Sequence, residues 1–188
     1  MTLTSAPALD PHLPMGDLLL AYPGAQRALF RKYHVGGCNS CGFAPTETLA
    51  AICARNPHMD LDEVCAFLET SRDEDRAMQI EPRELAALQQ SGAAEPLHLL
   101  DIRTREEYEA VHLPGAELFS QDLMQTILMQ WPREQGLIVL IDHQGARSLD
   151  AAAYFSGHGF TNVKALLGGI DLWSQEVDPT LPRYALES

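Results

Sequence analysis

Two short stretches hold the residue types that do chemistry. The first is Cys38-Asn39-Ser40-Cys41, which follows Gly36-Gly37 and precedes a predicted helix. Two thiols at this spacing can exchange between dithiol and disulfide, carry sulfur, or share a metal, and a helix N-terminus lowers a thiol's pKa toward the reactive thiolate. The second is Asp142-His143-Gln144-Gly145-Ala146-Arg147, between the apolar run 137–141 and a helical pattern that begins at Ser148. Unpaired N–H groups at a helix start, with a glycine in the turn, can cradle an anion, and Arg147 adds a positive fork.

The remaining thiols, Cys53 and Cys65, read differently. Cys53 shares a helical face with Leu49 and Ile52, and Cys65 shares one with Leu61, Val64 and Leu68. That spacing assigns both to core packing. Structural zinc sites use two short knuckles, and only one is present here, so no metal and no cofactor is expected. Residues 66–188 have no cysteine. In a compartment that keeps thiols reduced, such a pair is redox-active or metal-binding rather than part of a disulfide scaffold.

The elements that must position these residues fall into two patterns. From Met15 to about Thr70 the periodicity is helical: 17–22, 25–33, 45–55 with Pro45 in the first turn, and a last helix capped by Asp60 with Glu63 three residues on. Met1 to Pro14 reads as a loose lead-in, and residues 71–79 as a charge-rich linker without an apolar face. Beyond it, helix 82–90, strand 97–102, a Thr104/Glu107 capped helix, strand 137–141, helix 148–158 and strand 163–167 alternate. Such alternation implies a parallel α/β sheet. The expected architecture is therefore a small all-α domain over 15–70 and an α/β domain over 80–184.

Composition narrows the function classes. The chain has 188 residues, 26 Asp+Glu against 13 Lys+Arg, and a formal charge of −13. So acidic a surface repels a phosphate backbone, which argues against nucleic acid and anionic membranes as partners. The longest apolar runs fall far short of the roughly 20 residues of a membrane helix. The N-terminus has no Lys or Arg before Arg27 and does not read as a signal peptide, so a cytoplasmic protein is expected.

Residues 78–184 resemble the rhodanese-like domain. The matching pieces are Leu100-Asp101-Ile102-Arg103, Glu107-Tyr108, and His112-Leu113-Pro114-Gly115-Ala116. Gly145, Arg147 and Ser148 follow the central strand. Gly159-Phe160-Thr161-Asn162-Val163, Leu167-Gly168-Gly169-Ile170 and Trp173 close the match. The resemblance implies a rhodanese-like parallel sheet flanked by helices. It also implies a six-residue loop, 142–147, whose first residue is a cysteine that carries sulfane sulfur as a persulfide.

Here that residue is Asp142. A carboxylate cannot form a persulfide, so ordinary sulfurtransferase turnover at this loop is not expected. An aspartyl phosphate would need a second nearby carboxylate for a metal, and Gln144 stands where an Asp-x-Asp pair would place it. The simpler expectation is that Asp142 fills its own cradle, accepting loop amides and pairing with Arg147. Asp101, Arg103 and His112 read as fold-holding residues.

Residues 14–70 resemble the redox disulfide domain associated with hybrid-cluster proteins, and more distantly the N-terminal domain of iron–sulfur cluster repair proteins. Leu18, Tyr22-Pro23, Phe30 and the run from Cys38 through Cys41, Ala44, Glu47, Thr48 and Leu49 carry it. Together the two resemblances imply a binding or regulatory module coupled to a thiol-redox pair. Its partner would be a protein or a small sulfur-containing or anionic ligand. The rival expectation is a sulfurtransferase or thiol oxidoreductase that works through Cys38 and Cys41.

Overall fold

The computed structural model describes residues 8–36, 42–92 and 96–184; Cys38 and Cys41 lie outside the described residues. The chain divides into two compact units, residues 1–77 and 78–188.

Among its described residues the first unit holds four helices: α1 (Met15–Ala21), α2 (Ala25–Tyr33), α3 (Leu49–Arg55) and α4 (Leu61–Ala77). Met15, Leu18, Leu29, Leu49, Ile52, Val64 and Leu68 form its core, each at most 3% exposed. Cys53 is buried and Cys65 half-buried against that core. Burial pushes both thiols above their ordinary pKa, with Cys65 and Asp60 adding to it at Cys53, and Asp62 and Glu69 at Cys65. Asp60 caps α4 by accepting the Glu63 N–H at 3.0 Å.

Three boundaries differ from the sequence expectation. Pro45 lies in a turn ahead of α3 rather than in its first turn, because Thr48 supplies the N-cap: its hydroxyl accepts the Ala51 N–H at 3.2 Å. Residues 8–14 are not a loose lead-in. The Leu9 N–H donates to Glu69, Pro11 accepts the Ala50 N–H, and Pro14 forms a bridge with Thr48. Nor are residues 71–77 a linker, since α4 runs through them to Ala77. Val64, Leu68, Ser71 and Asp75 form one buried face, and its last two members are polar. Asp75 is buried because the Tyr22 hydroxyl and the Arg27 guanidinium both donate to it, at 3.0 and 2.5 Å. A helix whose inner face is closed by an ion pair has no apolar period to read there.

The second unit is a mixed α/β fold around a central parallel sheet. Its elements are β1 (Gln79–Ile80), α5 (Pro82–Ser91), β2 (Leu97–Asp101), α6 (Arg105–Ala110), β3 (Ala116–Leu118), α7 (Gln121–Gln130), β4 (Leu137–Ile141), α8 (Ala146–Gly157), β5 (Val163–Leu166) and α9 (Gly169–Glu176). The strand order is β1-β5-β4-β2-β3, all pairs parallel. Alternate residues of the continuous apolar strand β4 serve two cores. Val139 and Ile141 pack with residues of α5 and α9, while Ile138 and Leu140 pack with those of α7 and α8. Burial on both faces is why the strand shows no polar alternation.

The Thr104/Glu107 capping box forms in both directions, as the spacing predicts. The short strands β1 and β3 and the helices α7 and α9 were not expected. Two- and three-residue strands exist only through pairing with β5 and β2, so no local pattern marks them.

Candidate functional site

β2 and β4 are neighbours, with Asp101 opposite Ile141 in register. Each strand therefore leads into a buried carboxylate at the same edge of the sheet: Asp101 at the end of β2 and Asp142 just after β4. In open parallel sheets this C-terminal edge is where ligands bind.

Asp101 is locked to Arg103, and both side chains are fully buried. Arg103 donates through Nε and Nη2 to the carboxylate at 2.9 and 2.6 Å, and through Nη2 to the Val111 carbonyl at 2.6 Å. Its Nη1 reaches the Tyr184 hydroxyl at 2.7 Å. Burial opposes the guanidinium's charge, but the bonds and charge of Asp101, helped by Tyr184, outweigh it and hold the pKa above its ordinary value. His112 stays exposed, stacked on Tyr108 with Nδ1 2.8 Å from that residue's carbonyl.

Asp142 is only 3% exposed, and its partners come from its own loop and the helix that follows. Oδ1 accepts the Gly145 N–H at 2.5 Å and the Ser148 hydroxyl at 3.0 Å, and Oδ2 accepts the Arg147 N–H at 2.9 Å. The expected ion pair with Arg147 does not form. Arg147 sits in the first turn of α8, where its N–H faces the carboxylate while its guanidinium is exposed. Gln144 and Ala146 are exposed beside it, and Gly145 is buried.

A second backbone segment holds the loop from behind. The Ile170 N–H donates to the Asp142 carbonyl at 2.9 Å, and the Asp171 N–H to the His143 carbonyl at 3.1 Å. The start of α9 is thus filled by loop carbonyls. The approach is so close that glycine is required: a Cβ on Gly169, whose φ is +58°, would lie 2.4 Å from the Asp142 carbonyl oxygen. A Cβ on Gly145, with φ +91°, would lie 2.8 Å from the Gly168 nitrogen.

His143 is 7% exposed, and its Nδ1 has no hydrogen-bond partner. Its ring faces that of Tyr184, with centroids 4.5 Å apart. The Tyr184 hydroxyl donates to Glu107 at 2.9 Å. Arg183 forks onto Asp171 at 2.8 and 3.2 Å, and those bonds hold the Asp171 carboxyl below the usual carboxylate range. Burial pushes the Glu107 carboxyl up, but the Thr104 N–H and the Tyr184 hydroxyl outweigh it and hold the group low.

Sequence reasoning named the whole 142–147 loop but missed Tyr184, Asp171 and the donor role of Ser148. Residues 177–184 carry no period, so nothing local announces that Tyr184 packs back over the loop. A hydroxyl early in the helix that follows the loop was the one available signal for Ser148.

The sheet order and this loop define an α/β domain with a built turn at its ligand edge. The rhodanese-like domain model matches residues 81–176, and the chain belongs to that family. Among curated proteins, thiosulfate sulfurtransferase GlpE of Pseudomonas syringae pv. syringae is 31% identical over 94 residues, 50% of this chain and 84% of that protein. The adenylyltransferase and sulfurtransferase UBA4 of Candida albicans is 25% identical over 193 residues, 93% of this chain and 41% of that protein. The chain thus spans about two fifths of the length of this longer relative. The solved human single-domain sulfurtransferase TSTD1 is 24% identical, with a TM-score of 0.46, over 53% of this chain and 96% of that one. No helix among the described residues is long and apolar enough to cross a membrane, and no cluster of metal-ligating side chains occurs among them.

Proposed function

We propose that the second unit is a rhodanese-like binding or regulatory module that does not turn over sulfur at its own loop. One observation supports it most: the Asp142 carboxylate is buried and accepts two loop N–H groups and the Ser148 hydroxyl. Donors that could serve a sulfur anion already serve a fixed one. No thiol in residues 66–188 could replace it. The ligand or partner would meet the exposed edge formed by Gln144, Ala146 and Arg147, a positive group that suits a small anion or an acidic protein surface. The Cys38/Cys41 pair would sense or carry the thiol state, in a cytoplasmic setting that keeps thiols reduced.

A second reading is favoured by the relatives, whose names call them sulfurtransferases. In it, Cys38 or Cys41 carries the sulfur. Thiosulfate:cyanide sulfurtransferase assays on the full chain and on Cys38→Ser separate the two. Activity that disappears in Cys38→Ser supports the second reading, while folded wild-type protein without activity supports the first. Asp142→Cys sharpens the result. Each backbone donor can be worth about 2.7–4 kcal/mol toward a developing anion, so a thiolate at 142 should attack the sulfane sulfur of thiosulfate, break its S–S bond, release sulfite and remain as the persulfide. Peptide mass mapping should find it at position 142. A folded variant that gains none would show that the cradle no longer serves a thiolate.

A further inference from the structure

The last described segment, residues 181–184, lies over the loop, and its attachments are unusual in one respect. Each charged side chain that holds it has another partner. Arg103 keeps Asp101 and the Val111 carbonyl without Tyr184. Glu107 keeps the Thr104 N–H. Asp171 keeps the Gln175 side chain at 3.0 Å when Arg183 leaves. The Arg183 side chain is 54% exposed, so water and salt compete for its ion pair. Leu181 and Tyr184 are only half-buried against the core they touch.

What the segment covers is the opposite case. His143 is buried, and its Nδ1 has no partner. A buried polar atom without a partner destabilises the closed arrangement, and exposure to water or to a ligand donor or acceptor relieves it. Lifting the segment therefore leaves the charged anchors paired, exchanges the Tyr184 hydroxyl on Arg103 Nη1 for water, and supplies the missing partner to His143.

We propose that residues 181–184 are a releasable strap, an autoinhibitory contact in which the Tyr184 ring hides the His143 imidazole. Released, it adds a second hydrogen-bonding group to the loop edge beside Arg147. The proposal concerns access to His143 and holds whatever the loop binds.

Diethyl pyrocarbonate labelling of the full chain, mapped by peptide mass, tests it. In wild type, His143 should label far more slowly than the exposed His112 and His158. Tyr184→Ala should raise His143 labelling at least about tenfold, because labelling follows the open fraction, with His112 and His158 unchanged. Arg183→Ala, and 0.5 M salt on wild type, should raise it by less. Tyr184→Ala should keep a single cooperative melt of the second unit. If His143 stays protected in folded Tyr184→Ala, the strap is not its cover. If Tyr184→Ala and Arg183→Ala both unfold the unit, the segment is core and not releasable. Either result overturns the proposal.

Discussion

Two neighbouring strands end in buried carboxylates, yet the two corners are built on different principles. After β2, Asp101 meets a guanidinium, and both side chains are fully buried. After β4, Asp142 meets no cation; N–H groups and a hydroxyl surround it. Asp101 and Arg103 neutralise each other's charge inside the fold, so neither member of the first pair can change alone. Backbone dipoles are supplied by the turn whatever residue stands there, so the second carboxylate is replaceable. The first corner is therefore a lock, and the second a seat of N–H and hydroxyl donors that Asp142 fills. That difference makes an aspartate at position 142 compatible with an intact rhodanese fold.

The largest effect should come from breaking the lock. Arg103→Ala leaves Asp101 buried and unpaired, and should cost about 3–5 kcal/mol. Urea unfolding of the full chain reads it; a loss below that of Asp142→Ala would reverse the ranking of the two corners. Next comes Gly169→Ala, which touches neither carboxylate. A left-handed backbone with a Cβ costs about 1–3 kcal/mol, and the collision with the Asp142 carbonyl adds to it. Hydrogen exchange should then rise through residues 142–147. Protection equal to wild type there would mean that α9 does not set the loop.

Asp142→Ala should be milder, about 1–3 kcal/mol, the range for leaving a buried hydrogen-bond donor without its acceptor. A loss matching that of Arg103→Ala would show that the seat, too, is a lock.

The smallest effect lies in the acid range. Glu107 and Asp171 are both held below their ordinary pKa in the folded chain. Each contributes stability that is complete above the unfolded value, near pH 4 for such carboxyls, and is lost as pH falls through the folded value. The melting temperature should drop below about pH 4. Tyr184→Phe, which removes a donor to Glu107, should make that drop slightly shallower. Identical profiles for the two proteins would remove Tyr184 from the account.

Much of the α/β unit was legible because its signals are local. Leu137–Ile141 is uniformly apolar, Thr104 and Glu107 sit at capping distance, and the loop glycine and arginine follow a strand. That loop N–H groups would meet the Asp142 carboxylate could be read from the turn, since backbone N–H groups come with any helix start. The polar end of α4 could not be read, because Asp75 looks solvated until Tyr22 and Arg27 arrive from other helices to satisfy it.

Residue types at short spacing are enough for the family, the alternation of strand and helix, and the absence of a thiol from the loop. The folded arrangement was needed to show that Asp142 takes the Arg147 N–H and leaves that residue's side chain exposed. It alone decided that α9 backs the loop and that Tyr184 returns to cover His143. The last two contacts join residues dozens of positions apart through backbone direction and packing. No periodicity along the chain encodes them, since they exist only once the sheet has brought its C-terminal edge together.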